Sequence, residues 1–163
     1  MPESISLRAA LFDDIPQILA FIQGLAEYEK LSHVCLATEE SLRQTLFGPR
    51  PFAEVIMAEC DGRPAGFALF FHNYSTFRAA PGIYLEDLYV LPALRGKGIG
   101  KALLGELARL AVNRGCARLE WSVLDWNAPA IAFYKSIGAE PQDEWTIFRV
   151  TDESLNRLAK SIC

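Results

Sequence analysis

Histidine is nearly absent. The 163-residue chain has only His33 and His72, neither at a telling distance from a nucleophile or carboxylate. No catalytic triad is expected, and a surface or packed role is assigned to both. The four cysteines, Cys35, Cys60, Cys116 and Cys163, are far apart and form neither a Cys-x-x-Cys pair nor a zinc spacing with the histidines. No metal site is expected, and a reducing, cytoplasmic setting is. Long apolar runs are also missing. The stretch Ala65 to Phe71 is far too short to span a bilayer, and the opening Met-Pro-Glu-Ser-Ile-Ser has no basic region followed by an apolar core. Neither membrane insertion nor secretion is expected. Finally there is no basic excess: the formal net charge is −4 and the basic residues are scattered, which disfavours nucleic acid and suits a cationic small molecule slightly better.

What is present reads as an ordinary globule, 51% hydrophobic, of a size expected to fold as one domain over residues 1–163. Ile5 to Ala9 alternates as a half-buried strand. Asp13 and Asp14 precede an apolar face at Ile15, Ile18, Leu19, Ile22, Leu25 and Ala26, predicting a helix that ends near Tyr28 to Lys30. Thr38, with Glu39 and Glu40, is predicted to cap a short helix reaching Phe47, ended by Gly48-Pro49. Phe52 to Cys60 and Arg63 to Phe71 read as a hairpin around Asp61-Gly62. After a loop containing Pro81-Gly82 come a strand from Ile83 to Val90, a glycine-rich turn, and a helix from about Lys101 to Asn113. Arg118 to Leu124 is the next predicted strand, Asn127 caps a helix to about Ile137, Glu144 to Val150 is a last strand, and Asp152 to Lys160 a final helix. This order implies a mixed α/β fold.

The most informative segment is Val90-Leu91-Pro92-Ala93-Leu94-Arg95-Gly96-Lys97-Gly98-Ile99-Gly100-Lys101. Alternating glycines let a ligand approach the backbone, free N–H groups at a helix start favour an anion, and Arg95, Lys97 and Lys101 add positive charge. A pyrophosphate is the expected guest. The Walker pattern fails, because Arg95 stands where its first glycine belongs and Ala102 where its hydroxyl belongs. The dinucleotide fingerprint fails because only Ile99 separates Gly98 from Gly100.

Arg95-Gly96-Lys97-Gly98-Ile99-Gly100 resembles the cofactor loop of the GNAT acetyltransferase superfamily, Arg/Gln-x-x-Gly-x-Gly/Ala, and the run Trp126 to Ala139 resembles that superfamily's second signature. A narrower resemblance joins Leu25 to Glu29, Tyr84 to Val90 and Trp126 to Lys135 to the diamine (spermidine/spermine) acetyltransferases and their relatives acting on lysine-like amino acids. It implies a central, mostly antiparallel mixed sheet with helices on both faces, acetyl-CoA as cosubstrate, a small amine as acceptor, and a homodimer.

By the same resemblance, the backbone of Leu88, Tyr89 and Val90 pairs with the pantetheine arm. Arg95, Gly96, Lys97, Gly98, Ile99, Gly100 and Lys101 cradle the pyrophosphate, and Asn127, Ala128, Pro129, Ala130 and Tyr134 line the arm from the other side. Aminolysis needs a neutral amine, and holding a primary amine of pKa about 10.4 neutral at pH 7 costs about 4.6 kcal/mol. Glu86 is the implied group that draws off this proton, and Tyr134 the implied general acid for the departing thiolate. Strand alternation puts Asp87 on the face opposite Glu86. Tyr28, Glu29 and Trp121 match substrate-contacting positions, with Asp143 or Glu144 as further candidates. The residues leave two alternatives open: a non-catalytic acyl-CoA-binding module, disfavoured by the presence of both Glu86 and Tyr134, and a protein or peptide N-acetyltransferase. Phe67, Phe70, Phe71 and Phe77 are expected in core or interface.

Overall fold

Two tight reversals organise the sheet. At Asp61 and Gly62 both φ angles are positive, 50° and 75°, the handedness that lets two twisted strands fold back directly on each other. The hairpin joins β2 (Glu54–Cys60) to β3 (Arg63–Ser75), and a second reversal at residues 76–79 returns β3 into β4 (Ala80–Val90). With β1 (Ile5–Ala9) and β5 (Leu119–Trp121) the strand order is β1-β2-β3-β4-β5, antiparallel except for the parallel β4–β5 pair. The computed structural model describes residues 3–161, which form two compact units dividing after Leu124.

In the first unit, helices cover both faces of the sheet. On one face lie α1 (Ile15–Tyr28) and α2 (Glu39–Leu46). Ile15, Ile18 and Phe21 of α1 are buried against Val55, Met57, Phe67 and Tyr89, with Phe21 stacked on Phe67 at 5.6 Å. Thr38 caps α2 as expected, its hydroxyl accepting the Ser41 N–H at 3.1 Å. On the other face α3 (Ile99–Asn113) buries Ile99, Leu103, Leu104, Leu107 and Ala111. Truncating a fully buried ring such as Phe21 to alanine costs about 3–5 kcal/mol.

The second unit carries α4 (Ala128–Ser136) and α5 (Asp152–Lys160). Asn127 caps α4 by accepting the Ala130 N–H, and Gly138 closes it at φ 92°.

Several expectations are corrected. Glu144 to Val150 is not a strand: no ladder includes it among the described residues, and Trp145, Ile147, Phe148 and Val150 are exposed. Its alternation is strand-like, but a strand exists only where backbone groups find a partner. The β5 strand stops at Trp121 rather than Leu124. The Pro81-Gly82 loop is instead part of β4, opposite Tyr74 and Asn73. The Ile83 N–H points to Arg118 on the β5 side, so the missing N–H of Pro81, two residues earlier, costs the β3 ladder nothing. Phe67 and Phe70 are in the core as expected, whereas Phe77, at the second reversal, is fully exposed.

Candidate active site

At the C-terminal end of β4 the chain passes through one turn of 3-10 helix (Pro92–Leu94) into the glycine loop. Gly96 and Gly98 have φ of 80° and 86°, a conformation that costs L-residues about 1–2 kcal/mol. A side chain at either glycine would meet nothing within 4 Å, so the glycines serve backbone shape and leave open space beside it. The first i→i−4 bond of α3 runs from Ala102 N–H to Gly98 C=O, at 2.9 Å. The N–H groups of Ile99, Gly100 and Lys101 therefore precede the helix ladder at the positive end of its dipole. Ile99 is buried, so only its backbone is offered outward. Such an arrangement of N–H groups favours an anion.

The charges around the cradle differ from the sequence expectation. Lys97 is engaged by Glu3, which also lies beside Cys60. Arg95 directs its Nε to the Val90 carbonyl at 3.0 Å, and its guanidinium lies over the Tyr28 ring at 4.7 Å and the Tyr89 ring at 5.6 Å.

Beyond the short β5 pairing, which covers only Ile83 to Leu85, β4 keeps an outer side. The Leu91 N–H bonds Ala65 of β3. Antiparallel alternation therefore turns the backbone groups of Leu88 and Val90 away from β3, and those of Tyr89 toward it. Leu88 and Val90 can each take one hydrogen bond from an extended, amide-rich ligand.

A bulge just upstream places the acidic residues. Asp87 pairs with Leu69 while Leu85 pairs with the next residue, Phe70, leaving Glu86 as the extra residue. An inserted residue reverses which face the following side chains take. Asp87 consequently joins Tyr89 on the α1 face, where the Tyr89 ring packs 5.9 Å from Phe21. The regular alternation expected from Leu85 to Asp87 is broken by this bulge. Both carboxylates are coupled to Glu29, the residue that caps the C-terminus of α1. Burial and then the negative charges of Glu86 and Glu29 push Asp87 up to about 6, and burial followed by Glu86 pushes Glu29 up as well. A cluster of carboxylates, two of them raised by burial and by their neighbours' negative charge, has the chemistry to take a proton or a cationic amine.

Tyr28, at the end of α1, is partly exposed and contacted by Arg95, and Trp121 ends β5 beside Ser122, whose hydroxyl bonds Tyr84 at 2.7 Å. In the second unit, Ala128, Pro129 and Ala130 form the first turn of α4, Asn127 is buried at its cap, and Tyr134 lies one helix length on, next to Phe133. Asp143 and Glu144 are exposed. Sequence reasoning missed Asp87 as part of the acidic group. The adjacent Glu86-Asp87 pair was the available signal, because a strand with two neighbouring acids beside apolar residues suggests a break in alternation.

A cavity of about 440 Å³ also opens in the first unit, between Leu7, Leu46, Phe47 and Leu110. Its arginines are all committed: Arg8 to Asp14 and Glu59, Arg109 to Glu106, and Arg114 to Glu54. It offers no unsatisfied charge.

Comparison with known proteins agrees with this geometry. A model of the acetyltransferase (GNAT) family matches residues 18–139. The chain is 38% identical to a thialysine N-epsilon-acetyltransferase of Mus musculus, over 96% of this chain and 98% of that one. It is 34% identical to an L-ornithine N5-acetyltransferase of Arabidopsis thaliana, over 94% and 87%. Among solved structures, an integron cassette protein from V. cholerae superposes with a TM-score of 0.82 at 29% identity, covering 96% of this chain and 98% of that one.

Proposed function

Because the chain belongs to the GNAT acetyltransferase family and takes its acetyl group from acetyl-CoA, we propose that its acceptor is the side-chain amine of a small lysine-like amino acid or a diamine. The carrying observation is the group Glu29, Glu86 and Asp87, held together by the β4 bulge. A dication, or an amino acid with a second ammonium, places two positive charges beside these acids, where burial and neighbouring negative charge raise Glu29 and Asp87. The names of the thialysine, ornithine and spermidine/spermine relatives support the same class.

In this reading Glu29 and Asp87 hold the ammonium groups, with Tyr28 and Trp121 as the flanking walls. Glu86 draws the proton from the reacting ammonium through water, which makes the nitrogen nucleophilic at neutral pH. Acetyl-CoA supplies an activated thioester. The backbone of Leu88 and Val90 holds the pantetheine amides, while the N–H groups at the start of α3 and Lys101 hold the pyrophosphate. Asn127, Ala128, Pro129 and Ala130 line the arm. As the new C–N bond forms and the C–S bond breaks, Tyr134 gives its phenolic proton to the departing thiolate and the amine proton leaves through Glu86. The resemblance supports these assignments, and the side-chain chemistry is suited to each.

The proposal extends to a homodimer in the cytoplasm. The exposed apolar residues Trp145, Ile147, Phe148 and Val150 are the surface that pairing with a second copy would cover. Light scattering at micromolar concentration should give twice 18.1 kDa, and a single-chain mass refutes the dimer. The substrate class is tested by thiol release from acetyl-CoA with thialysine, lysine, ornithine, spermidine, putrescine and a histone-tail peptide. Turnover with the amino acids or diamines is expected; turnover with the peptide alone overturns the proposal.

A further inference from the structure

The loop arginine is engaged by groups of the protein itself in this structure. Arg95 follows the turn after β4, and its side chain makes three contacts on two elements: its Nε reaches the carbonyl of Val90, the last residue of β4, and its guanidinium lies over Tyr89 of β4 and over Tyr28, the last residue of α1. The Tyr89 hydroxyl lies so close to Gly24 that a side-chain carbon there would fall 2.5 Å from it, which locks this ring against α1 from beneath. Arg95 closes the same stack from the loop side. The residue after Tyr28 is Glu29, the α1 cap and one of the three acids, and the chain then turns at Lys30 with φ 62°.

We infer that Arg95 is a positioning residue for the amine site: it straps the end of α1 to the end of β4 and thereby sets where Tyr28 and Glu29 stand relative to Glu86 and Asp87. The planar guanidinium suits the task, because it stacks on a ring through its face while donating in its plane to a carbonyl. Lysine, a point charge on a flexible stem, cannot do both. The strap also ties the amine site to Val90, whose outward backbone belongs to the cofactor groove, so the two substrates meet in one structural unit. This inference rests on the reading of Glu29, Glu86 and Asp87 as the amine site.

The experiment compares Arg95→Met and Arg95→Lys with the unchanged enzyme, using acetyl-CoA and, separately, S-acetylpantetheine, which has the same thioester and arm but no pyrophosphate. A strap predicts that KM for the amine rises about tenfold in both variants and with both donors, the size of one stacked guanidinium contact, with lysine giving no rescue. A phosphate ligand predicts the reverse, and finding it overturns the inference: amine KM unchanged, KM for acetyl-CoA raised, KM for S-acetylpantetheine unaltered, and lysine restoring much of the loss. Should Arg95→Met fail to fold, Arg95→Gln keeps a donor for the Val90 carbonyl and removes the stacked guanidinium. The same rise in amine KM supports the strap, and an unchanged value refutes it. Glu29→Gln separates the two levels of argument. If it raises amine KM while the Arg95 variants do not, only the strap fails; if it has no effect, the amine-site reading fails and the strap with it.

Discussion

The glycine loop and the acidic group lie at the same end of β4 but are built in different ways. The loop is one unbroken run, Arg95 to Lys101, and its shape comes from two glycines whose φ angles other residues adopt only with strain. The acidic group is assembled from α1 and β4, distant in sequence, and depends on a single extra residue that turns Asp87 onto the α1 face. The first is a property of local backbone and the second of strand register. Apart from Arg95, which reaches back to α1, changes to the two should therefore separate, those in the glycines acting on the acetyl donor and those in the acids on the amine.

The largest effect is expected where the proton moves. Glu86→Gln keeps the bulge and removes the carboxylate, so kcat/KM for the amine should fall about 10²-fold or more while the affinity for acetyl-CoA stays within a factor of about two. Tyr134→Phe should lower kcat by a similar order with both KM values nearly unchanged. Steady-state kinetics with each substrate varied would expose either assignment as wrong through turnover at the unmodified rate. On the loop side, Gly98→Ala puts a side chain on a residue at φ 86°. A cost of about 1–2 kcal/mol, felt when the loop must hold its shape around the donor, raises KM for acetyl-CoA about tenfold and leaves amine KM alone. A rise in amine KM instead would mean that loop and acidic group are not separable.

The same contrast explains what could be read in advance. The loop, the α2 cap at Thr38, the Asp61-Gly62 hairpin and the helix opened by Asn127 and closed by Gly138 are local chemistry, and each stands where the sequence places it. The bulge at Glu86 is only hinted at by the two adjacent acids, because nothing in Leu85-Glu86-Asp87-Leu88 says which residue will be left out of the ladder. The stretch from Glu144 to Val150 fails for a related reason: its side-chain pattern is that of a strand, but pattern specifies a face and not a partner. Arg95 was legible as a positive charge but not as a stacked one, since Tyr28 reaches it only through the fold.

Asp87→Asn tests the acidic group by pH. A carboxylate raised from its ordinary value to about 6 binds its proton more tightly in the folded protein. It therefore contributes stability below about pH 4 that is lost as pH rises to about 6. Asp14 and Glu54, held below the usual range by Arg8 and Arg114, act in the opposite sense as acid is added. The useful quantity is thus the difference in Tm between the enzyme and its Asn variant. That difference should move in the variant's favour by about 6–12 °C between pH 4 and pH 7. Amine binding should show the complementary trend. A cation prefers the ionised carboxylate, so affinity measured calorimetrically with CoA present rises several-fold from pH 5 to pH 7, and in Asp87→Asn this rise should be lost. A rise retained in the variant would assign the titration elsewhere.

The smallest effect is predicted for a residue that looks important in the sequence. Lys97 stands between the two positive-φ glycines, where a free ammonium would face a pyrophosphate, but Glu3 engages it. Burial of neither partner is deep, and an exposed pair of this kind contributes little to stability. If the backbone N–H groups and the helix start do the binding, Lys97→Ala should change KM for acetyl-CoA less than about threefold, well below the effect of Gly98→Ala. A loss as large as that of the glycine variant, steepening as salt is lowered, would show that Lys97 leaves Glu3 for the phosphates when the donor binds. The loop would then be a charged clamp rather than a backbone cradle, and its contrast with the acidic group would be one of sign rather than of construction.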